Sequence, residues 1–80
     1  MNQSMEARIV GIDAETVFIA TQDRVAAFRR DGLPGEWWRG FRGPAVNRRV
    51  AACVARLGVP AATAFDRVPV LSWPDDPPEA

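Results

Sequence analysis

Five arginines, Arg39, Arg42, Arg48, Arg49 and Arg56, lie between Trp37 and Phe65 with no acidic residue among them, and the stretch opens with the pair Trp37 and Trp38. Trp37, Trp38 and Phe41 beside Arg39 and Arg42 are residue types that do recognition chemistry. Large rings and guanidinium forks anchor protein interfaces, and the same rings stack on bases in single-stranded nucleic-acid platforms. Adjacent side chains diverge, so full burial of both tryptophans is not expected. One ring can instead cap the open face of a sheet while arginines stack on it through cation-π contacts, which would make the cluster structural. Arg48, Arg49 and Arg56 extend the basic block, although a run of charge is commonly just a solvated face.

The block is hidden in a neutral total. Ten arginines balance ten carboxylates, but residues 1–36 carry net −2, residues 37–65 net +5 and residues 66–80 net −3. Segregated charge steers encounter and fixes register between partners more than it adds affinity, so this polarity suits docking against something charged. The chain has no lysine, histidine or tyrosine and holds thirteen alanines. That bias points to a GC-rich, bacterial coding genome and makes part of the arginine usage mutational.

Most catalytic constellations fail on composition. Without histidine there is no Ser-His-Asp or Cys-His arrangement, and the single cysteine, Cys53, has no base to ionise it. Cys53 reads as a small core residue, and a lone cysteine agrees with a reducing, cytoplasmic setting. Zinc and iron sites lack their ligands. Asp75, Asp76 and Glu79 sit in a proline-rich stretch without a preorganised cation loop. Gly35-x-x-x-x-Gly40 has the spacing of a phosphate-binding loop, but Phe41 and Arg42 stand where that loop needs lysine and a hydroxyl. No cofactor, metal or catalytic residue is therefore expected. No apolar run reaches the roughly 18 residues that span a bilayer, and residues 1–6 are too polar for a secretory signal.

The elements that must position the cluster come next. Residues 7–12 and 16–21 are β-branched, apolar runs separated by Asp13-Ala14-Glu15, which predicts an antiparallel hairpin. Val17 and Ile19 face one way while Phe18 and Ala20 face the other, as in a central strand covered on both sides. Residues 24–30 close a three-stranded meander on the preferred reading. Asp23 as N-cap and Gly32 beyond the end would also bracket a short helix. Asp31 to Gly35 is turn chemistry, and Glu36 to Gly43 reads as one loose turn or a loop. Pro44 and Gly58, followed by Pro60, bracket the main helix at about residues 44–57, with Val46, Val50, Cys53, Val54 and Leu57 on an apolar stripe and Arg48, Arg49, Ala52 and Arg56 opposite. Val59 to Asp66 suggests a further helical turn, and Val68 to Trp73 a final edge strand, since Pro69 cannot donate to a ladder. The expectation is an α+β fold: a small antiparallel β-sheet, made of a three-stranded meander plus a C-terminal edge strand, with one main helix packed on one face. Residues 1–73 form this single domain and 74–80 an acidic, proline-rich tail.

Two resemblances bear on function. Gly40-Phe-Arg-Gly43 ahead of a helix resembles the short loop with which KH domains clamp a nucleic-acid backbone, but it covers four residues and lacks the preceding helix of that motif. In size, compact α+β architecture, missing catalytic groups and polarised charge, all 80 residues resemble the small inhibitors carried by bacteriophages and mobile elements, the anti-CRISPR proteins in particular. No motif carries that likeness and no residue role transfers with it. It implies a cytoplasmic, non-enzymatic inhibitor, monomeric or a small homo-oligomer, that sterically blocks a CRISPR effector, a large protein or ribonucleoprotein complex, from engaging target DNA or its nuclease. The residues expected to bind the partner are Trp37, Trp38, Arg39, Phe41 and Arg42, joined by Arg48, Arg49 and Arg56. The alternative is a small nucleic-acid-binding or regulatory protein using the same patch on phosphates, although dedicated binders are usually basic throughout and this chain has a pI near 6.2.

Overall fold

The computed structural model describes residues 6–39 and 43–73. β1 (Arg8–Ile12), β2 (Thr16–Ala20) and β3 (Arg24–Arg29) form the antiparallel meander. Its first turn is built by Asp13, whose Oδ1 accepts the backbone N–H groups of Glu15 at 3.0 Å and Thr16 at 2.9 Å, giving partners to donors that the ladder does not reach. In the second turn the Thr21 N–H donates to the Arg24 carbonyl at 2.9 Å, leaving Gln22 and Asp23 as a two-residue loop. Residues 24–29 are thus a strand, not the helix that Asp23 and Gly32 allowed. Period-two alternation explains the choice, because it places Ala26 and Phe28 on one face and Val25 and Ala27 on the other, all four buried.

β2 and β3 are covered on both sides, as the alternation in β2 predicted. On one face Val17, Ile19, Ala26 and Phe28 pack against Val50, Ala51, Cys53 and Val54 of α2 (Pro44–Leu57). On the other, Ala20, Val25 and Ala27 pack with Val68, Val59 and Phe18, and the Phe65 ring stacks on Phe18 with centroids 4.5 Å apart. Each fully buried aliphatic or aromatic side chain contributes about 1.5–3 kcal/mol, which matters in a chain too short for a second core. Helix α2 has the expected bounds. Gly43 precedes it at φ 90°, a conformation only glycine adopts without strain, and Pro44 occupies the first turn, where its missing N–H costs nothing. Ala51 joins the core stripe, whereas Leu57 leaves it at 39% exposure, being the last helical residue before the chain turns away. Asn47 Oδ1 accepts the Ala7 N–H at 3.2 Å and ties the segment before β1 to the helix.

After α2 the chain runs along the free edge of β3. β4 (Val59–Pro60) pairs antiparallel with Arg24 and Val25. The chain then reverses through residues 61–69, with one turn of 3-10 helix at Phe65–Arg67, and returns as β5 (Val70–Leu71) beside Ala27 and Phe28. In place of the helical turn expected over Val59 to Asp66 there is a strand, a turn and this later 3-10 segment, since Val59 is drawn against Val25 on the sheet. The C-terminal edge strand is present, contracted to two residues with Pro69 just outside the ladder. It runs parallel to β3 because the chain reverses once after an antiparallel β4. The α+β class with one main helix on one face stands. The tail expected from residue 74 onward lies outside the described residues.

Gly58 is where helix and sheet come closest. A Cβ there would lie 2.5 Å from the Val54 carbonyl oxygen and 2.8 Å from that of Val25, both backbone atoms with little room to give. Its φ of −76° is ordinary, so Gly58 ends the helix through close approach rather than through a left-handed turn. Gly58→Ala should lower unfolding free energy by about 1–3 kcal/mol in denaturant titrations. Gly35→Ala, where a Cβ meets nothing within 4 Å, should stay within about 1 kcal/mol of the parent.

Candidate functional site

Helix α1 (Gly35–Trp38) is a single turn after Pro34, whose carbonyl accepts the Trp37 N–H at 2.9 Å. Its two tryptophans have separate tasks. The Trp37 ring meets Trp73 edge-on with centroids 4.9 Å apart, and Trp73 meets the fully buried Phe28 at 5.4 Å, again edge to face. Such contacts add about 0.5–1.5 kcal/mol each beyond area burial, so Trp37 extends the core. Trp38, one residue further round the turn, is half-buried and carries two guanidinium groups: Arg30 Cζ lies 4.6 Å and Arg39 Cζ 5.3 Å from its ring centroid. Arg39 is the residue that ends α1, while Arg30 opens the single 3-10 turn, Arg30–Gly32, that follows β3.

Arg30 is fixed by the hairpin. Its backbone N–H donates to the Glu15 carbonyl at 2.8 Å, and its Nη1 donates to the Asp13 carbonyl at 3.1 Å. The Nη1 bond and the Trp38 face hold the side chain, and among the described residues no carboxylate pairs with it. Arg29 differs, since its Nε lies 3.6 Å from Asp31 Oδ1 with both side chains well exposed, a pairing worth about 0–1 kcal/mol.

Arg30 and Trp38 line an open cleft of about 720 Å³ at the end of the sheet. Thr16 and Arg29, opposite one another in the ladder, share the sheet face of Ala27 and Val70. They line it together with Glu15, Asp31 and Ser72. The volume falls in the range of ligand sites, about 300–1,000 Å³. The cleft is amphoteric, with Arg29 and Arg30 facing Glu15 and Asp31.

The residues expected from the sequence divide accordingly. Trp38 and Arg39 come together, with the half-buried Trp37 packed on Trp73 at the rim of the core, and Phe41 and Arg42 lie outside the described residues. Arg48, Arg49 and Arg56 are exposed on α2, and among the described residues neither Arg48 nor Arg56 makes an ion pair or a ring contact. Arg30 was missed, although a signal existed. The tight Gln22-Asp23 turn sets Thr16 opposite Arg29, and one further step sets Glu15 opposite Arg30. Cys53 is fully buried, as its place on the helix stripe implied. Among the described residues no group of three Cys, Asp or Glu side chains is placed to hold a metal ion, and no helix is long and apolar enough to cross a membrane.

Comparison of the chain with protein families, with curated proteins and with solved structures finds no match in any of the three.

Two measurements test these roles. Trp37→Ala should cost about 3 kcal/mol of stability through lost packing, and Trp38→Ala less, about 1–2 kcal/mol, in denaturant titrations. Burial pushes the Cys53 thiol above its ordinary pKa, with Arg56 pulling it back. The folded state therefore holds that proton more tightly. This contribution is complete below the unfolded thiol pKa and is lost as pH rises through the folded one. Stability should fall in alkaline solution, and Cys53→Ala should flatten that fall in a pH series of unfolding midpoints.

Proposed function

We propose that the protein is a non-enzymatic protein-binding inhibitor of the anti-CRISPR type. It works in the bacterial cytoplasm by occupying a surface of a CRISPR effector complex so that target DNA or a nuclease subunit cannot dock. The observation that carries the binding reading is the pair of arginines on Trp38: Arg30 is anchored by a carbonyl and a ring, Arg39 by the same ring, and neither is neutralised by a carboxylate among the described residues. Guanidinium groups held this way are available to a partner, and Trp with Arg is the pairing that dominates interface hot spots. The likeness in size, class and charge to phage-borne inhibitors supplies the choice of target.

The same geometry favours a protein over a nucleic acid. Stacking platforms need open ring faces, and here Trp37 meets Trp73 while Trp38 carries two guanidinium groups. Glu15 and Asp31 at the cleft would also repel a phosphate backbone. The test is co-elution of the purified protein with reconstituted CRISPR effector complexes, alongside target cleavage assays. A stable complex and blocked cleavage are expected. Absence of both, or a gel shift of free DNA that weakens with salt at a slope near −0.9 per phosphate, would overturn the proposal.

A further inference from the structure

Resting on the reading of a protein partner, the geometry points to the chemistry of the segment that this cleft receives: a polypeptide stretch bearing an aspartate or glutamate, its carboxylate on Arg30 beside the Trp38 ring, where Arg39, outside the cleft lining but on the same ring, adds its charge. Two unit positive charges gathered on one indole lie at most about 10 Å apart, within one Debye length at 0.1 M salt, so they repel and an anion bound at Arg30 relieves the repulsion. Each guanidinium has five N–H donors, and Arg30 uses one of its five on the Asp13 carbonyl. Its remaining donors suit a carboxylate, whose two oxygens match the guanidinium fork.

The lining of the cleft selects the polymer that brings this carboxylate. Glu15 and Asp31 stand within the same 720 Å³ as Arg29 and Arg30, and Val70, 55% exposed, adds an apolar wall. A phosphodiester chain has charge at every link and must set some of it against those carboxylates. A peptide can place one carboxylate at the arginines and a neutral or apolar side chain over Val70. The Arg30 side chain is already restrained by one hydrogen bond and a ring, so less side-chain entropy is lost when the segment binds.

The experiment uses the full chain labelled with ¹⁵N and follows the arginine Nε–H signals and the Trp38 indole N–H signal, assigned with Trp38→Phe. The probes are a short capped peptide alternating aspartate and valine, its asparagine counterpart, inorganic phosphate and a short single-stranded oligonucleotide. The aspartate peptide should move the Arg30, Arg39 and Trp38 signals, and the asparagine peptide should bind about tenfold more weakly or worse, the loss of one charge-assisted hydrogen bond. Arg30→Ala removes a support of the first hairpin turn, so Arg39→Ala, which loses only the ring contact, is run beside it and should weaken the aspartate peptide several-fold. Arg8→Ala, on the exposed side of β1 and outside the cleft lining, should leave it unchanged. Equal binding of the two peptides, or indifference to Arg39→Ala, would overturn this inference and leave the protein-partner reading standing. Tighter binding of the oligonucleotide than of the aspartate peptide would overturn both, and a response to phosphate alone would show an adventitious anion site and overturn the peptide assignment.

Discussion

The Trp73 indole lies edge-on between Phe28, at the centre of the sheet, and Trp37, on the one-turn helix that follows the meander. Through that contact the core reaches out to a segment that has almost no means of holding itself in place. α1 is four residues long, far below the length at which a helix is stable alone, and no side chain caps its start. Packing of Trp37 therefore decides where α1 sits, and the helical step of about 100° decides that Trp38 must point elsewhere. The position of the arginine-bearing ring is a consequence of the neighbouring ring being packed against Trp73. Trp73 in turn is held because β5 brings the chain back along β3, so the last strand contributes to the site without supplying a contact residue to the ring pair.

Charge segregation along the chain and charge segregation in space turn out to be different things. The basic block between Trp37 and Phe65 does place Arg48, Arg49 and Arg56 on the exposed side of α2. The two guanidinium groups that converge on Trp38, however, come from different blocks. Arg39 belongs to the basic stretch, and Arg30 belongs to the acid-rich first 36 residues. Folding thus concentrates positive charge at one ring and, a few residues away, sets Glu15 and Asp31 around the same cleft. An evenly neutralised exterior would require carboxylates at the guanidinium groups, and among the described residues Arg30 and Arg39 have a ring there instead, while Arg29 pairs with Asp31, two positions on in the chain.

What was legible in the sequence follows from how local each signal is. The hairpins carry their own turn chemistry at Asp13 and Gln22-Asp23, and α2 is bracketed by Pro44 and Gly58, so these elements could be read from windows of a dozen residues. The alternation in β2 also told correctly that both faces of the sheet would be covered. The edge strand within Val68 to Trp73 could be read this way too, but its two-residue length, its parallel direction and the whole of β4 could not, because such short pairings owe their existence to the unpaired edge of β3 rather than to their own propensity. Gly58 was placed for the right element and the wrong reason, since its need arises from the Val25 carbonyl, more than thirty positions earlier in the chain. Arg30 was overlooked for a related cause. Its partners Asp13 and Trp38 are brought to it by register and by packing, and composition, which drew attention to the densest run of arginines, says nothing about either.

The contrast between Arg29 and Arg30 shows what the fold does with two adjacent, identical side chains. Arg29 sits in the ladder opposite Thr16 and lies 3.6 Å from Asp31 with both side chains exposed, a loose pairing in which both charges stay hydrated and partly cancel. Arg30 is one step beyond the strand, where its backbone still bonds to Glu15 but its side chain turns to the Asp13 carbonyl and the Trp38 face. Neutral acceptors restrain a guanidinium without cancelling its charge, whereas a carboxylate does both. The side chain thereby becomes ordered and remains electrostatically unsatisfied, which is the condition under which a charged group adds affinity instead of only solubility. In a domain of 80 residues with a small stability margin, such an arrangement is tolerable at the rim of the core and not within it, because water still reaches the free donors. The site therefore lies at the end of the sheet, beside the last aromatic contact of the core.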